Sequence, residues 1–177
     1  MSFGSFLIKQ VVQEITRENP KLQTFVTLSP VPDFAAWLDS ERKSETSAAL
    51  SAEDREALAG LDRPDWWQLE EVREPLHEPL MRAAAWYFLR AKNRRGLPVD
   101  SVARFHLGNG ARLERINWLG DTTEKGIDQS YGIMVNYLYD LNDIEKNHEA
   151  YAEGRTVVAS NAVKRLARKV ELVPVAG

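Results

Sequence analysis

The chain has 177 residues and a mass of 20.1 kDa, enough for one domain and short for two. Its 23 basic and 26 acidic side chains leave a net charge of −3, against the basic excess of a general nucleic-acid binder. No cysteine is present, which excludes disulfides, thiolate metal sites and cysteine nucleophiles, and no apolar run approaches the ~18 residues that span a bilayer.

Ile8, Val11, Val12 and Ile15 recur at helical spacing. They predict a helix entered through Gly4, capped by Ser5 and ended by Pro20. The β-branched and aromatic run 22–28 predicts a strand, stopped by Ser29-Pro30-Val31-Pro32. A short helix then begins at Phe34. Residues 39–80 carry twelve acidic and five basic side chains and read as an acidic helical insertion on the surface. Within it Ser51 and Asp54 have capping-box spacing, and Trp66 and Trp67 are its packing anchor. Pro79 to Lys92 is an amphipathic helix with Leu80, Ala83, Ala84, Tyr87, Phe88 and Ala91 on one side. Asp100 caps a short helix through Phe105, followed by the tight turn Gly108-Asn109-Gly110. Residues 111–118 fit helix or strand. Gly132 to Leu141 reads as a buried strand, and 142–151 and 156–170 as closing helices. The order gives an α/β or α+β fold in a single domain over 1–177. Two clear strands are few for a self-contained sheet, and Met1 to Ser5 begins in mid-motif, so further sequence upstream is expected.

Three places could carry chemistry. His106, between Phe105 and Leu107 and just before the Gly-Asn-Gly turn, is either a core histidine or a general acid. The other histidines, His77 and His148, lie in charged stretches and read as surface residues. Ser29, fixed in direction before Pro30, either bonds a ligand or caps the next helix. Phe3-Gly4-Ser5 before a helix with Lys9 offers free N–H groups to a phosphate. The cluster Arg90, Lys92, Arg94 and Arg95 is either a second phosphate contact or a solvated helix end. No histidine or carboxylate spacing suggests zinc.

Several stretches together resemble the malonyl-CoA decarboxylase family. They are Ser2-Phe3-Gly4-Ser5-Phe6-Leu7-Ile8-Lys9, Thr27-Leu28-Ser29-Pro30-Val31-Pro32, Phe105-His106-Leu107-Gly108-Asn109-Gly110-Ala111, Arg115-Ile116-Asn117-Trp118 and Gly132-Ile133-Met134-Val135-Asn136-Tyr137-Leu138-Tyr139. The likeness runs over nearly the whole chain, to the C-terminal part of the family's catalytic domain. It implies an acetyltransferase-like (GNAT) fold, incomplete at its N-terminus. It also implies a carboxy-lyase that converts malonyl-CoA to acetyl-CoA and CO2 in fatty-acid and malonate metabolism. Ser29 and His106 fall on the family's catalytic pair and Tyr139 on its tyrosine. Ser2, Phe3, Gly4 and Ser5 fall on the end of the loop that binds the coenzyme A pyrophosphate. His106 would protonate the α-carbon, and Ser29 would orient the acyl group or relay a proton. No cofactor is implied, since the thioester is itself the electron sink.

Two departures matter. The chain starts inside the phosphate loop, as a fragment or truncated product would, and Asp33 stands where the family usually has Gly. The alternatives are an acyl-CoA-binding module without activity and an acyl-CoA acyltransferase of the same fold. A homo-oligomer is implied, with neither nucleic-acid nor membrane partner. Met1 to Ile8 lacks the basic start of a signal peptide and the C-terminus carries no peroxisomal address, so the expected location is cytoplasmic.

Overall fold

A computed structural model describes residues 3–168, with side chains over 8–167. The first helix, α1 (Phe3–Glu18), starts before the expected cap, so Ser5 is a helical residue and not the N-cap. Gly4 costs a helix only about 1 kcal/mol, and nothing in 3–7 breaks it. Pro20 lies just past its end. Strand β1 (Thr24–Pro30) follows, two residues later than expected at each end, so Ser29 lies within the strand. Helix α2 (Phe34–Lys43) buries Phe34, Ala35 and Leu38.

Helix α3 (Ala52–Leu58) has the expected capping box: Asp54 N–H donates to Ser51 Oγ at 3.0 Å and Ser51 N–H to Asp54 Oδ2 at 3.2 Å. Helix α4 (Glu70–Leu89) begins nine residues before the expected Pro79 and holds Pro75 and Pro79 inside it. Each proline removes a backbone bond. Burial of Leu76, Pro79, Leu80, Ala83 and Ala84 on the core side of the helix offsets that cost. The acidic stretch 39–80 is therefore no mere surface attachment. Its charges face water, but Ala49, Leu50, Leu58, Leu61, Trp66, Leu76 and Leu80 belong to the single core cluster. Trp66 is fully buried against the rings of Trp67, Trp118 and Tyr131.

Helix α5 (Ser101–Gly108) runs past Phe105 and so carries His106. Residues 112–117 form β2 (Arg112–Asn117), and a short helix not foreseen, α6 (Glu124–Ser130), is capped by Thr123. Strand β3 (Met134–Asp140) precedes α7 (Ile144–Gly154) and α8 (Asn161–Arg168). The three strands form one antiparallel sheet in the order β1-β3-β2. β3 is the centre, with Val135, Tyr137 and Tyr139 buried on one face. β1 is an edge, and its outward residues Val26 and Leu28 are 57% and 61% exposed. The result is a small mixed α/β domain with helices packed on a three-stranded antiparallel sheet. No helix among the described residues is long and apolar enough to cross a membrane.

Candidate active site

Strand alternation puts Thr27 and Ser29 of β1 on the same face of the sheet as Tyr137 and Tyr139 of β3. The register sets Thr27 opposite Tyr137 and Ser29 opposite Val135. Helix α5 brings His106 to this face. Its start is fixed by Asp100, whose carboxylate accepts from Ala103 N–H at 2.9 Å and lies 3.3 Å from the Tyr87 hydroxyl that donates to it. Its end is fixed by the turn at Gly110 (φ +88°), where an added Cβ would lie 2.3 Å from the Ile144 carbonyl oxygen. A side chain is excluded there on both counts.

His106 is bonded at both ring nitrogens. Nε2 lies 3.3 Å from Ser29 Oγ and Nδ1 lies 2.6 Å from Tyr139 Oη. Ser29, Tyr139 and His106 are 4%, 2% and 9% exposed. Burial pushes the His106 pKa down to about 4 and pushes that of Tyr139 well up, so at neutral pH both are uncharged. The Tyr139 hydroxyl can donate to Nδ1 or accept from it, and among the described residues it bonds only to Nδ1. With Tyr139 donating, Nε2–H is left to donate to Ser29 Oγ. Ser29 Oγ also lies 3.0 Å from Thr27 Oγ1. In that tautomer the imidazole proton points toward the serine, as in a proton donor; in the other a bare Nε2 faces the serine hydroxyl, as in a base.

Beside Tyr139 opens a cleft of about 430 Å³, the size of a small-molecule site. Ile8, Lys9 and Val12 of α1 form one wall, Gly108 and Asn109 a second, and Ile144 and His148 of α7 a third. Among the described residues there is no cluster of three or more carboxylate or histidine side chains that could hold a metal ion.

The comparisons agree on one family. The model of the malonyl-CoA decarboxylase C-terminal domain matches residues 1–174. The chain belongs to the malonyl-CoA decarboxylase family. A mitochondrial malonyl-CoA decarboxylase of Anser anser anser is 39% identical over 183 residues, covering 92% of this chain and 36% of that relative. The Mus musculus protein is 38% identical over 185 residues, covering 94% and 37%. The crystal structure of malonyl-CoA decarboxylase from Rhodopseudomonas palustris superposes with a TM-score of 0.88 at 55% identity, covering 94% of this chain and 38% of that one. The chain spans little more than a third of the length of these relatives.

Of the residues that the malonyl-CoA decarboxylase resemblance singled out, the fold brings Ser29, His106 and Tyr139 into one bonded row. Ser29 is not a helix cap, because α2 follows Asp33. Ser2 lies outside the described residues, while Phe3, Gly4 and Ser5 are helical backbone at the start of α1 and not a loop. His77 and His148 are exposed: His77 stands edge-on to Trp118, and His148 Nδ1–H donates to the Gly108 carbonyl. Arg90, Lys92, Arg94 and Arg95 are exposed. Sequence reasoning missed Thr27 and Tyr137. Their spacing of two from Ser29 and Tyr139 on strands was the available signal.

Proposed function

We propose that this chain carries the proton-donating site of a malonyl-CoA decarboxylase, forming acetyl-CoA and CO2 from malonyl-CoA. The observation that carries the reading is an imidazole held between Ser29 and Tyr139, of which Tyr139 lines an open cleft. The carboxylate C–C bond breaks, its electron pair moves into the thioester as an enolate, and CO2 leaves. Nε2–H of His106 then supplies the proton to the α-carbon. Because the ring is neutral, Nδ1 takes up the Tyr139 proton as Nε2–H departs, water at the cleft replaces that proton in the same step so that no buried tyrosinate forms, and the hydroxide left combines with the released CO2 as bicarbonate. Ser29 and Thr27 hold the substrate carboxylate or the thioester oxygen by hydrogen bonds. The thioester is the electron sink, so the residues need no cofactor for this step.

The cleft leads past α1, where exposed Lys9 suits the coenzyme A phosphates, with the α1 N-terminus adding its positive dipole end. Remote contacts of that kind supply affinity while the acyl end is oriented. The antiparallel sheet preceded by α1 supports reading it as part of an acetyltransferase-like (GNAT) sheet. A cytoplasmic location and a role in malonate and fatty-acid metabolism belong to the same proposal. So does a homo-oligomer, favoured by the β1 edge, which has no strand on its outer side among the described residues, with Val26 and Leu28 exposed; a monomer by light scattering overturns that part.

The test is acetyl-CoA formation from malonyl-CoA by the chain. His106→Gln and Ser29→Ala are expected to lower kcat about 10²- to 10⁴-fold, the usual worth of a positioned acid, with coenzyme A affinity little changed. Wild-type turnover in His106→Gln overturns the assignment. Coenzyme A binding without any turnover by the wild-type chain would favour the binding module instead.

A further inference from the structure

We propose that Tyr137 is a positioning residue for His106, its ring the platform that fixes the plane of the imidazole. The inference rests on the reading of His106 as proton donor. The His106 and Tyr137 rings stack with centroids 4.5 Å apart and planes 21° from parallel. Tyr139 and Phe105 meet the imidazole edge-on, at 5.9 Å and 5.1 Å. The two hydrogen bonds of His106 leave from Nδ1 and Nε2, and both lie in the ring plane. They restrain the soft terminal torsion of histidine about Cβ–Cγ, the Nε2 contact only weakly at 3.3 Å. A ring laid against its face limits that torsion further, and of the three aromatic neighbours only Tyr137 is laid so.

The ring of Tyr137, not its hydroxyl, is the working part. The hydroxyl is fully buried and has no hydrogen-bond partner among the described residues, which is destabilising by itself. The platform also keeps water from one face of His106, whose pKa is held down to about 4 by burial. The groups around His106 are Ser29 and Thr27 from β1, Tyr137 and Tyr139 from β3, and Arg104 and Phe105 on its own helix. Arg104 is turned away, donating to the Pro98 and Val99 carbonyls. Asp100 and Tyr87 act on Tyr137, and from α7 Tyr151 and His148 meet Gly108. No charge therefore competes with burial in setting the His106 titration.

The experiment compares Tyr137→Phe, Tyr137→Leu and Tyr137→Met in the full chain. It has two readouts: the NMR titration of the His106 ring, one of only three histidines, and kcat and KM for acetyl-CoA formation. Tyr137→Phe is expected to keep the wild-type titration and kcat, with a melting temperature equal or higher. Tyr137→Leu and Tyr137→Met are expected to move the His106 midpoint up by about one unit toward its ordinary value. They should lower kcat about tenfold or more with KM within about twofold, the pattern of a lost transition-state interaction. A wild-type titration and kcat in both aliphatic variants overturns the platform, as does a Phe variant as impaired as they are. If His106→Gln retains turnover, the reading of His106 as donor fails. The NMR titration of the Tyr137 variants still judges the platform, and if only one aliphatic variant folds it suffices.

Discussion

In the proposed mechanism Tyr139 decides which nitrogen of His106 carries the proton. Tyr139→Phe keeps the ring and its burial but leaves Nδ1 without the donor now 2.6 Å away. The proton is then free to move to Nδ1, which would turn a bare Nε2 toward Ser29. A kcat loss of about 10- to 100-fold is expected, with KM little changed and a stability loss of about 1 kcal/mol. Nitrogen chemical shifts should report Nε2–H in the wild type and a mixture of tautomers in the variant. An Nδ1–H signal in the wild type would sink the assignment. The sequence exposed His106 as unusual, flanked by Phe and Leu before Gly-Asn-Gly, but could not separate a core histidine from a donor. The difference lies in partners 77 and 33 residues away, Ser29 and Tyr139, which only the sheet and α5 bring together.

Elements announced by local signals were legible, and those decided by tertiary packing were not. Asp100 and the Ser51–Asp54 pair cap helices where the sequence placed them, since capping is settled within three residues. β2 was ambiguous for a physical reason. A bulge between Leu113 and Arg115 puts the buried Leu113 and Ile116 three apart, which mimics a helical repeat. The start of α4 was missed because Pro79 suits a first helical turn, whereas burial of Leu76 carries the helix upstream. The acidic stretch misled because its charges hide what its apolar side does, and one ion pair tests that. Arg82 of α4 donates to Asp54 of α3 at 2.6 Å, with the side chains only 20% and 10% exposed. Asp54→Ala removes one half of the α3 capping box, the bond from Ser51 N–H, and leaves Arg82 half-buried beside Glu78. It should cost about 1–3 kcal/mol by urea unfolding, more than an ordinary surface change. A loss under about 0.5 kcal/mol would mean that the Arg82–Asp54 pair does little to tie α3 to α4.

At the scale of the molecule, two buried groups near the site titrate in opposite senses and shape stability in acid. His106 has a folded pKa of about 4 against an ordinary 6.5. Between those values the unfolded chain binds the extra proton, so stability falls as pH drops from about 6.5 to about 4 and this contribution is flat below. Asp100 is shifted the other way, raised from 3.8 chiefly by burial. From its raised value down to 3.8 the folded chain binds the extra proton, so this group adds stability as pH falls and loses it as pH rises through the folded value. Each group contributes a slope of at most about 1.4 kcal/mol per pH unit. His106→Gln should therefore flatten the decline in urea midpoint below pH 6.5, and Asp100→Asn, which keeps the shape of the cap, should steepen the lower part of that decline. Unfolding curves of His106→Gln that run parallel to the wild type from pH 7 to pH 4 would mean that His106 takes up its proton in the folded state as easily as in water. That result would also bring the protonated ring within reach of neutral pH, where a charged His106 could give up its proton without Tyr139 supplying a second.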